Sequence, residues 1–140
     1  MKIGPKFKIA RRLGAPIFEK TQTAKYTLSL SRKERAGKIP RPPKSEFGRA
    51  LAEKQKARFT YGLSEKQFRS YVEKAMRSPN TNQKLFSLLE TRLDNVLFRS
   101  GLAKTRSQAR QMASHGHATV GGKRVTVPSL QVKVGDEVGV

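Results

Sequence analysis

Arg106 and Arg110 stand four residues apart, one turn of a helix, so a helix there presents both from one face. A guanidinium gives planar, two-pronged contacts to phosphate and stacks on bases. Thr105-Arg106-Ser107-Gln108 has the form of a capping box. It puts a helix N-terminus, whose free N–H groups favour phosphate, beside both arginines. Lys104, His115, Lys123 and Arg124 lie close in sequence and are expected to line the same basic edge. Arg92 and Arg99, seven apart, share a face of the preceding helical stretch, with Asp94 as a local partner for one of them. Lys54 and Arg58 repeat the four-residue spacing upstream, and Lys56 adds to the density. The alternative for each set is a solvated charged helix face.

Enzyme chemistry finds little support. His115 and His117 flank Gly116, but the chain has no third histidine and no cysteine to complete a zinc site. Acid–base cleavage of RNA by the same pair lacks further partners. There is no Walker-type loop, glycine-rich dinucleotide turn or nucleophile elbow, so no catalytic residue, metal or cofactor is expected. Gly121-Gly122 fits a hairpin turn, not a phosphate cradle.

Charge sets the partner class. The 140 residues carry 30 Lys+Arg against 10 Asp+Glu, a formal net charge of +20. Self-repulsion at that charge favours a polyanionic partner. Nucleic acid comes first because neutralised phosphates release counterions, and an anionic membrane surface comes second. No apolar run approaches a membrane span, so no membrane partner is expected. The excess is uneven: residues 1–60 hold 17 basic and 4 acidic residues, and residues 61–140 hold 13 and 6.

The elements that must position these residues give an α+β chain in three parts. Residues 1–44 read as a basic, largely irregular arm, broken at Gly4-Pro5 and Ile39-Pro40-Arg41-Pro42-Pro43, with one short helix over Lys8–Leu13 stopped by Gly14. Residues 45–90 read as a helical domain. Ser45 caps a helix to about Tyr61 with an apolar stripe of Phe47, Ala50 and Leu51, and Ser64-Glu65-Lys66-Gln67 opens the next helix. From Lys84 to Ser100, Leu85, Leu88, Leu89, Leu93, Val96 and Leu97 form one apolar face, carried by one helix or two abutting ones. Residues 91–140 form a compact module: a helix, the short helix of Arg106, then a sheet. Its strands are expected at Ala118–Val120, Lys123–Val127 and through Leu130, Val132 and Val134, with a turn at Gly135-Asp136 into Glu137–Val140.

These residues resemble a known family. The run Arg92-Leu93-Asp94-Asn95-Val96-Leu97-Phe98-Arg99-Ser100-Gly101-Leu102-Ala103, then Thr105-Arg106-Ser107-Gln108-Ala109-Arg110-Gln111, His115-Gly116-His117 and Gly122-Lys123-Arg124-Val125, resembles small-subunit ribosomal protein S-four of the bacterial or organellar type. So do Glu53-Lys54-Gln55-Lys56-Ala57-Arg58, Tyr61-Gly62, Glu65-Lys66-Gln67-Phe68-Arg69 and the opening Gly4-Pro5 with Arg11-Arg12-Leu13-Gly14. The resemblance implies a helical domain holding an inserted RNA-binding module behind a basic N-terminal arm. It implies a structural role in the small subunit of a bacterial cytoplasmic ribosome, or an organellar one. The implied partner is the five-way junction in the 5′ domain of small-subunit rRNA, bound early in assembly. Ribosomal protein S-five is the implied neighbour, beside the path by which mRNA enters, where the family affects decoding accuracy and some members repress their own messenger. Matched to the family, Arg11, Arg12, Lys54, Lys56, Arg58, Arg92, Arg99, Lys104, Arg106, Arg110, His115, Lys123 and Arg124 are the expected rRNA-binding residues.

Three departures stand beside the match. The four-cysteine zinc site of many members has no counterpart here, residues 20–44 lack the family's Pro-Gly-Gln-His-Gly run, and members usually continue past the equivalent of Val140. Two other classes compete with this reading. The same module resembles appendages of RNA-modifying enzymes and tyrosyl-tRNA synthetases, but residues 1–90 supply no catalytic domain. A helix-turn-helix regulator of mRNA or DNA is the other, with helices either side of Gly101; charge spread along the whole chain argues against a single reading helix.

Overall fold

A computed structural model describes residues 3–38 and 45–140. The expected break at Ile39–Pro43 lies outside the described residues. The chain forms two compact units, Met1–Ser64 and Glu65–Val140.

In the first unit, α1 (Lys6–Leu13), a 3-10 turn (Glu19–Gln22), α2 (Ala24–Arg35) and α3 (Glu46–Thr60) follow in order. The short helix expected over Lys8–Leu13 is present and begins at Lys6, while α2 at residues 24–35 corrects the expectation that the rest of the arm is irregular. Pro5, read as a breaker, instead stands at the N-cap of α1, where its missing N–H costs nothing. Gly14 closes the helix in the left-handed conformation, φ 66°. Ile9, Ala10 and Leu13 from α1 bury against Phe18 and Tyr26, with Phe7, Ile17, Leu30, Ala52 and Phe59 packed around them. Edge-to-face pairs of Phe7 with Tyr26 (5.2 Å) and Phe18 with Phe59 (6.2 Å) fix the rings. The 3-10 turn and α2 carry too few apolar residues to announce themselves in sequence; only convergence with α1 and α3 makes a core. Ser45 caps α3 by accepting from the Gly48 N–H at 3.1 Å, as expected. The stripe on that helix is not core, however: Phe47 is 79% and Leu51 42% exposed.

The second unit runs α4 (Glu65–Ala75), α5 (Thr81–Glu90), α6 (Leu93–Arg99), α7 (Arg106–Ser114), β1 (Ala118–Val120), β2 (Lys123–Val125) and β3 (Val138–Gly139). The long apolar stretch is two helices. Arg92 is extended at φ −66°, ψ 139° and breaks the run. Leu93, Leu97, Ala103, Ala109, Ala113 and Ala118 form the core, with Phe98, Met112, Val120, Val125, Val132 and Val138 against it. The small residues of α7 let it approach α6 closely. Thr105 caps α7 through the Gln108 N–H at 3.1 Å, and the Gln108 side chain reaches back one residue further than expected, to the Lys104 N–H at 3.0 Å.

The sheet is antiparallel with order β2-β1-β3. Gly121 (φ 56°) and Gly122 (φ 75°) make the two-residue turn, since both positions need positive φ. The third strand is not where alternation put it. The carbonyls of Pro128 and Leu130 accept the Asp94 and Leu93 N–H groups at 3.0 and 2.8 Å, and the Val132 N–H donates to the Thr91 carbonyl at 2.8 Å. Residues 128–132 therefore satisfy the open N-terminus of α6, and Val134 stands in solvent. Val138–Gly139 supplies the third strand instead.

Two outcomes follow. Leu97→Ala, at a fully buried position, should cost about 2–5 kcal/mol in urea unfolding of the full chain. Burial raises the Tyr26 phenol above its ordinary value, opposed by the nearby Arg11 charge. With the folded pKa above the unfolded one, the tyrosine's contribution is complete below about pH 10 and lost as pH climbs through the folded value. Chemical denaturation across that range should show the loss in the wild type and its absence in Tyr26→Phe.

Candidate nucleic-acid interface

The site is organised around a buried carboxylate. Asp94, in the first turn of α6, is buried. Its Oδ1 accepts from Arg92 Nε at 3.0 Å and its Oδ2 from Arg92 Nη2 at 2.7 Å. The same Oδ2 accepts from Arg110 Nε at 3.0 Å and Nη2 at 2.8 Å. Two guanidinium groups thus share one carboxylate and leave one positive charge in excess. Arg92 Nη1 donates to the Tyr71 hydroxyl at 2.6 Å, which ties α4 to the same point. Burial alone pulls the Arg92 pKa down, but its hydrogen bond to Asp94, the Asp94 charge and Tyr71 outweigh that, and it lies above the ordinary arginine value.

Asn95 forms a second hub. Its Oδ1 accepts from Arg106 Nε at 2.9 Å, while its Nδ2 donates to the Glu90 carbonyl at 3.1 Å and to Glu90 Oε2 at 2.8 Å. Glu90 also takes Arg99 in a two-pronged pair, Nε to Oε2 at 3.0 Å and Nη2 to Oε1 at 2.9 Å. The Arg106 guanidinium lies 4.4 Å over the Phe98 ring.

The expected residues therefore fall into different places. Arg106 and Arg110 do share one face of α7, but that face meets α6, and both side chains keep only part of their surface open. Arg92 is corrected from an RNA-facing residue to an internal one: it is 2% exposed, because the α5–α6 break turns it toward Asp94. Arg99 stays exposed at the surface while paired to Glu90. Lys104 and Lys123 are exposed, and Arg124 folds back so that its Nη2 donates to the His115 carbonyl at 3.0 Å. That fold-back needs Gly116. A Cβ there would stand 2.2 Å from Arg124 Nε, and φ is 73°. His115 and His117 lie with ring centroids 6.3 Å apart, and among the described residues no group of three metal-ligating side chains accompanies them.

In the first unit, Arg11 is half-buried at an apolar cleft of about 510 Å³ lined also by Ala15, Pro16, Tyr26 and Leu30, while Arg12 is exposed. Lys54 is exposed. Lys56 pairs with Glu53 at 2.7 Å. Arg58 donates from Nε to Gln55 Oε1 at 2.9 Å and lies 4.3 Å over Phe59.

Sequence reasoning missed Asn95, Tyr71 and Gln131, whose Oε1 accepts from the Thr91 hydroxyl at 2.6 Å and whose Nε2 donates to the Leu88 carbonyl at 3.2 Å. Asn95 had a signal, a polar residue inside the apolar run of Leu93, Val96 and Leu97. Tyr71 and Gln131 had none, since their partners lie 21 and 40 residues away.

The sequence comparisons bear on what this arrangement serves. Residues 1–90 match the family described as ribosomal protein S4/S9 N-terminal domain, and residues 91–138 match the S4 domain. The chain is similar to the small ribosomal subunit protein uS4 of Roseiflexus sp. (strain RS-1), 46% identical over 138 residues that cover 98% of this chain and 67% of the relative. It is 49% identical over 144 residues to the protein of that name from Elusimicrobium minutum, covering 99% and 69%. It is 48% identical over 142 residues to that of Porphyromonas gingivalis, covering 98% and 68%.

Asp94→Asn should remove the carboxylate charge that Arg92 and Arg110 share and leave buried Arg92 without its counter-ion. A loss of about 3–5 kcal/mol is expected in denaturant unfolding. Exposed Arg12→Gln, measured alongside, should leave stability nearly unchanged.

Proposed function

We propose a ribosomal role from one premise: the chain belongs to the small ribosomal subunit protein uS4 family. It is a structural protein of the small subunit that binds small-subunit rRNA, in a family of ribosomal proteins rather than enzymes. The observation that carries this is identity of 46 to 49% to proteins of that name across nearly the whole chain. Among the described residues no helix is long and apolar enough to cross a membrane.

The finer reading follows from the family resemblance and the site. The chain binds the five-way junction of the rRNA 5′ domain, nucleates assembly there, and sits in a cytoplasmic ribosome beside ribosomal protein S-five. Near the path by which mRNA enters, it contributes to accuracy. An organellar ribosome would use the same chemistry. The proposed contact set is Arg11, Arg12, Lys54, Lys56, Arg58, Arg99, Lys104, Arg106, Arg110, His115, Lys123 and Arg124, while Arg92 acts from inside by holding Asp94 and Tyr71. The partition into residues 1–44, 45–90 and 91–140 is kept as a functional proposal, with the last part as the RNA-reading module. Recognition rests on backbone shape and junction geometry more than on base edges. The exposed Lys123 at the hairpin turn and the Arg124–His115 contact favour that reading, because they offer donors on a rigid scaffold without presenting a base-reading helix.

Filter retention of 5′-domain RNA over a salt series tests it. Affinity should fall steeply with salt. Lys123→Ala with Arg124→Ala should lower affinity roughly tenfold and flatten the salt slope by about 2. Equal affinity for a random duplex of the same length would overturn junction recognition.

A further inference from the structure

A groove of about 280 Å³ lies on the second unit, and no residue of the hairpin lines it. Lys66, Gln67, Ser70, Tyr71 and Lys74 of α4 line one side, Ser129 the other, and Arg92 the floor. Lys66, Ser70 and Lys74 follow one another at four-residue steps, about 6 Å apart along one helix face. Both lysines and both serines are exposed. Among the described residues neither lysine has an ion pair, and Glu73 on the same helix is taken by Arg69 at 2.9 Å.

The floor decides the ligand's sign. Arg92 is nearly fully buried, and with Arg110 it outnumbers the single Asp94 carboxylate, so the cluster under the groove carries a net positive charge. A guanidinium only donates. The Tyr71 oxygen therefore accepts from Arg92, and its own O–H must donate elsewhere. Among the described residues that proton has no acceptor. The groove thus joins two ammonium groups, two serine hydroxyls and one polarised phenol over a positive floor, with no carboxylate in its lining.

We infer that this groove seats a phosphodiester of small-subunit rRNA, held by Lys66, Ser70, Tyr71, Lys74 and Ser129. This rests on the rRNA-binding reading above and adds a contact from α4, a helix that holds none of the expected rRNA-binding residues. The rigid part is Tyr71, fixed by Arg92 and Asp94. The lysines add charge from flexible stems. A strand crossing here tracks along α4.

The test uses the full chain and 5′-domain rRNA in a salt series. Lys66→Gln with Lys74→Gln is compared with Lys25→Gln with Lys84→Gln, which removes equal charge at exposed positions outside the groove. All four lysines are exposed, and thermal melting checks that the variants fold. The groove pair should weaken binding tenfold or more at low salt and reduce the salt slope by about 2. The control pair should do neither. Ser70→Glu, which places a carboxylate in the groove, should weaken binding at least as much. An unchanged affinity and slope in the groove pair, or an equal loss in the control pair, overturns the inference while wild-type binding leaves the ribosomal reading intact. Failure of the wild type to bind rRNA removes both.

Discussion

The carboxylate of Asp94 is the point on which the second unit converges. Arg92 reaches it from the α5–α6 break, Arg110 from α7, and the Asp94 N–H is taken by the Pro128 carbonyl on the segment before β3. Through Arg92 the Tyr71 ring of α4 joins the same network. A buried ion pair is weak evidence of net stability, because desolvation offsets most of its Coulombic gain. Its geometry is another matter. Once the pair is formed, any displacement of one helix leaves a charge unpaired in an apolar setting, which is far more costly. The cluster thus sets the relative placement of four segments, while Leu93, Leu97 and the alanines of α7 supply the burial.

This arrangement divides the basic residues by chemistry. Arginine is used where several buried acceptors must be satisfied at once, since its planar fork donates in fixed directions. Arg92, Arg106 and Arg110 all serve acceptors on or beside α6, and Arg99 serves Glu90. Lysine and the hairpin arginine are left toward solvent. Counting cations therefore overstates how many face a polyanion. The inward arginines still contribute: two of them against one carboxylate give the module an internal positive field, which any phosphate at its surface feels through a low-dielectric interior. A preorganised field of that kind needs no rearrangement when RNA arrives, which suits a protein that binds small-subunit rRNA.

The first unit reaches order by a different route. Its charge is high and its aliphatic residues are few, so aromatic packing around Phe7, Phe18, Tyr26 and Phe59 carries much of the core. Lys6 and Lys20 lie over the rings of Phe18 and Phe7, so part of the basic charge is spent against aromatic faces. Phe47 and Leu51 on α3 remain open to solvent in this unit.

Local chemistry was legible in the sequence wherever a few adjacent residues decide it. Ser45 and Thr105 mark helix starts because their side-chain oxygens meet an N–H three residues on, and Gly14, Gly116 and Gly121-Gly122 mark positive φ because other residues are strained there. The period of the leucine run marked Leu89, Leu93 and Leu97, which are buried, while Leu85, Leu88 and Val96 on the same expected face are only half-buried, and the motif-rich stretches were enough to identify the family. Contacts between distant residues were decided only by the tertiary structure. Arg92 and Arg110 looked outward because spacing tells which residues share a helix face, but not what that face meets. Residues 130–134 looked like a strand because alternation is satisfied equally by a segment that caps a helix. Residues 15–35 looked irregular because Phe18, Tyr26 and Leu30 are only part of a core that α1 and α3 complete. In each case the missing term was the partner, and burial or a hydrogen bond acquires its energy only when both partners are in place.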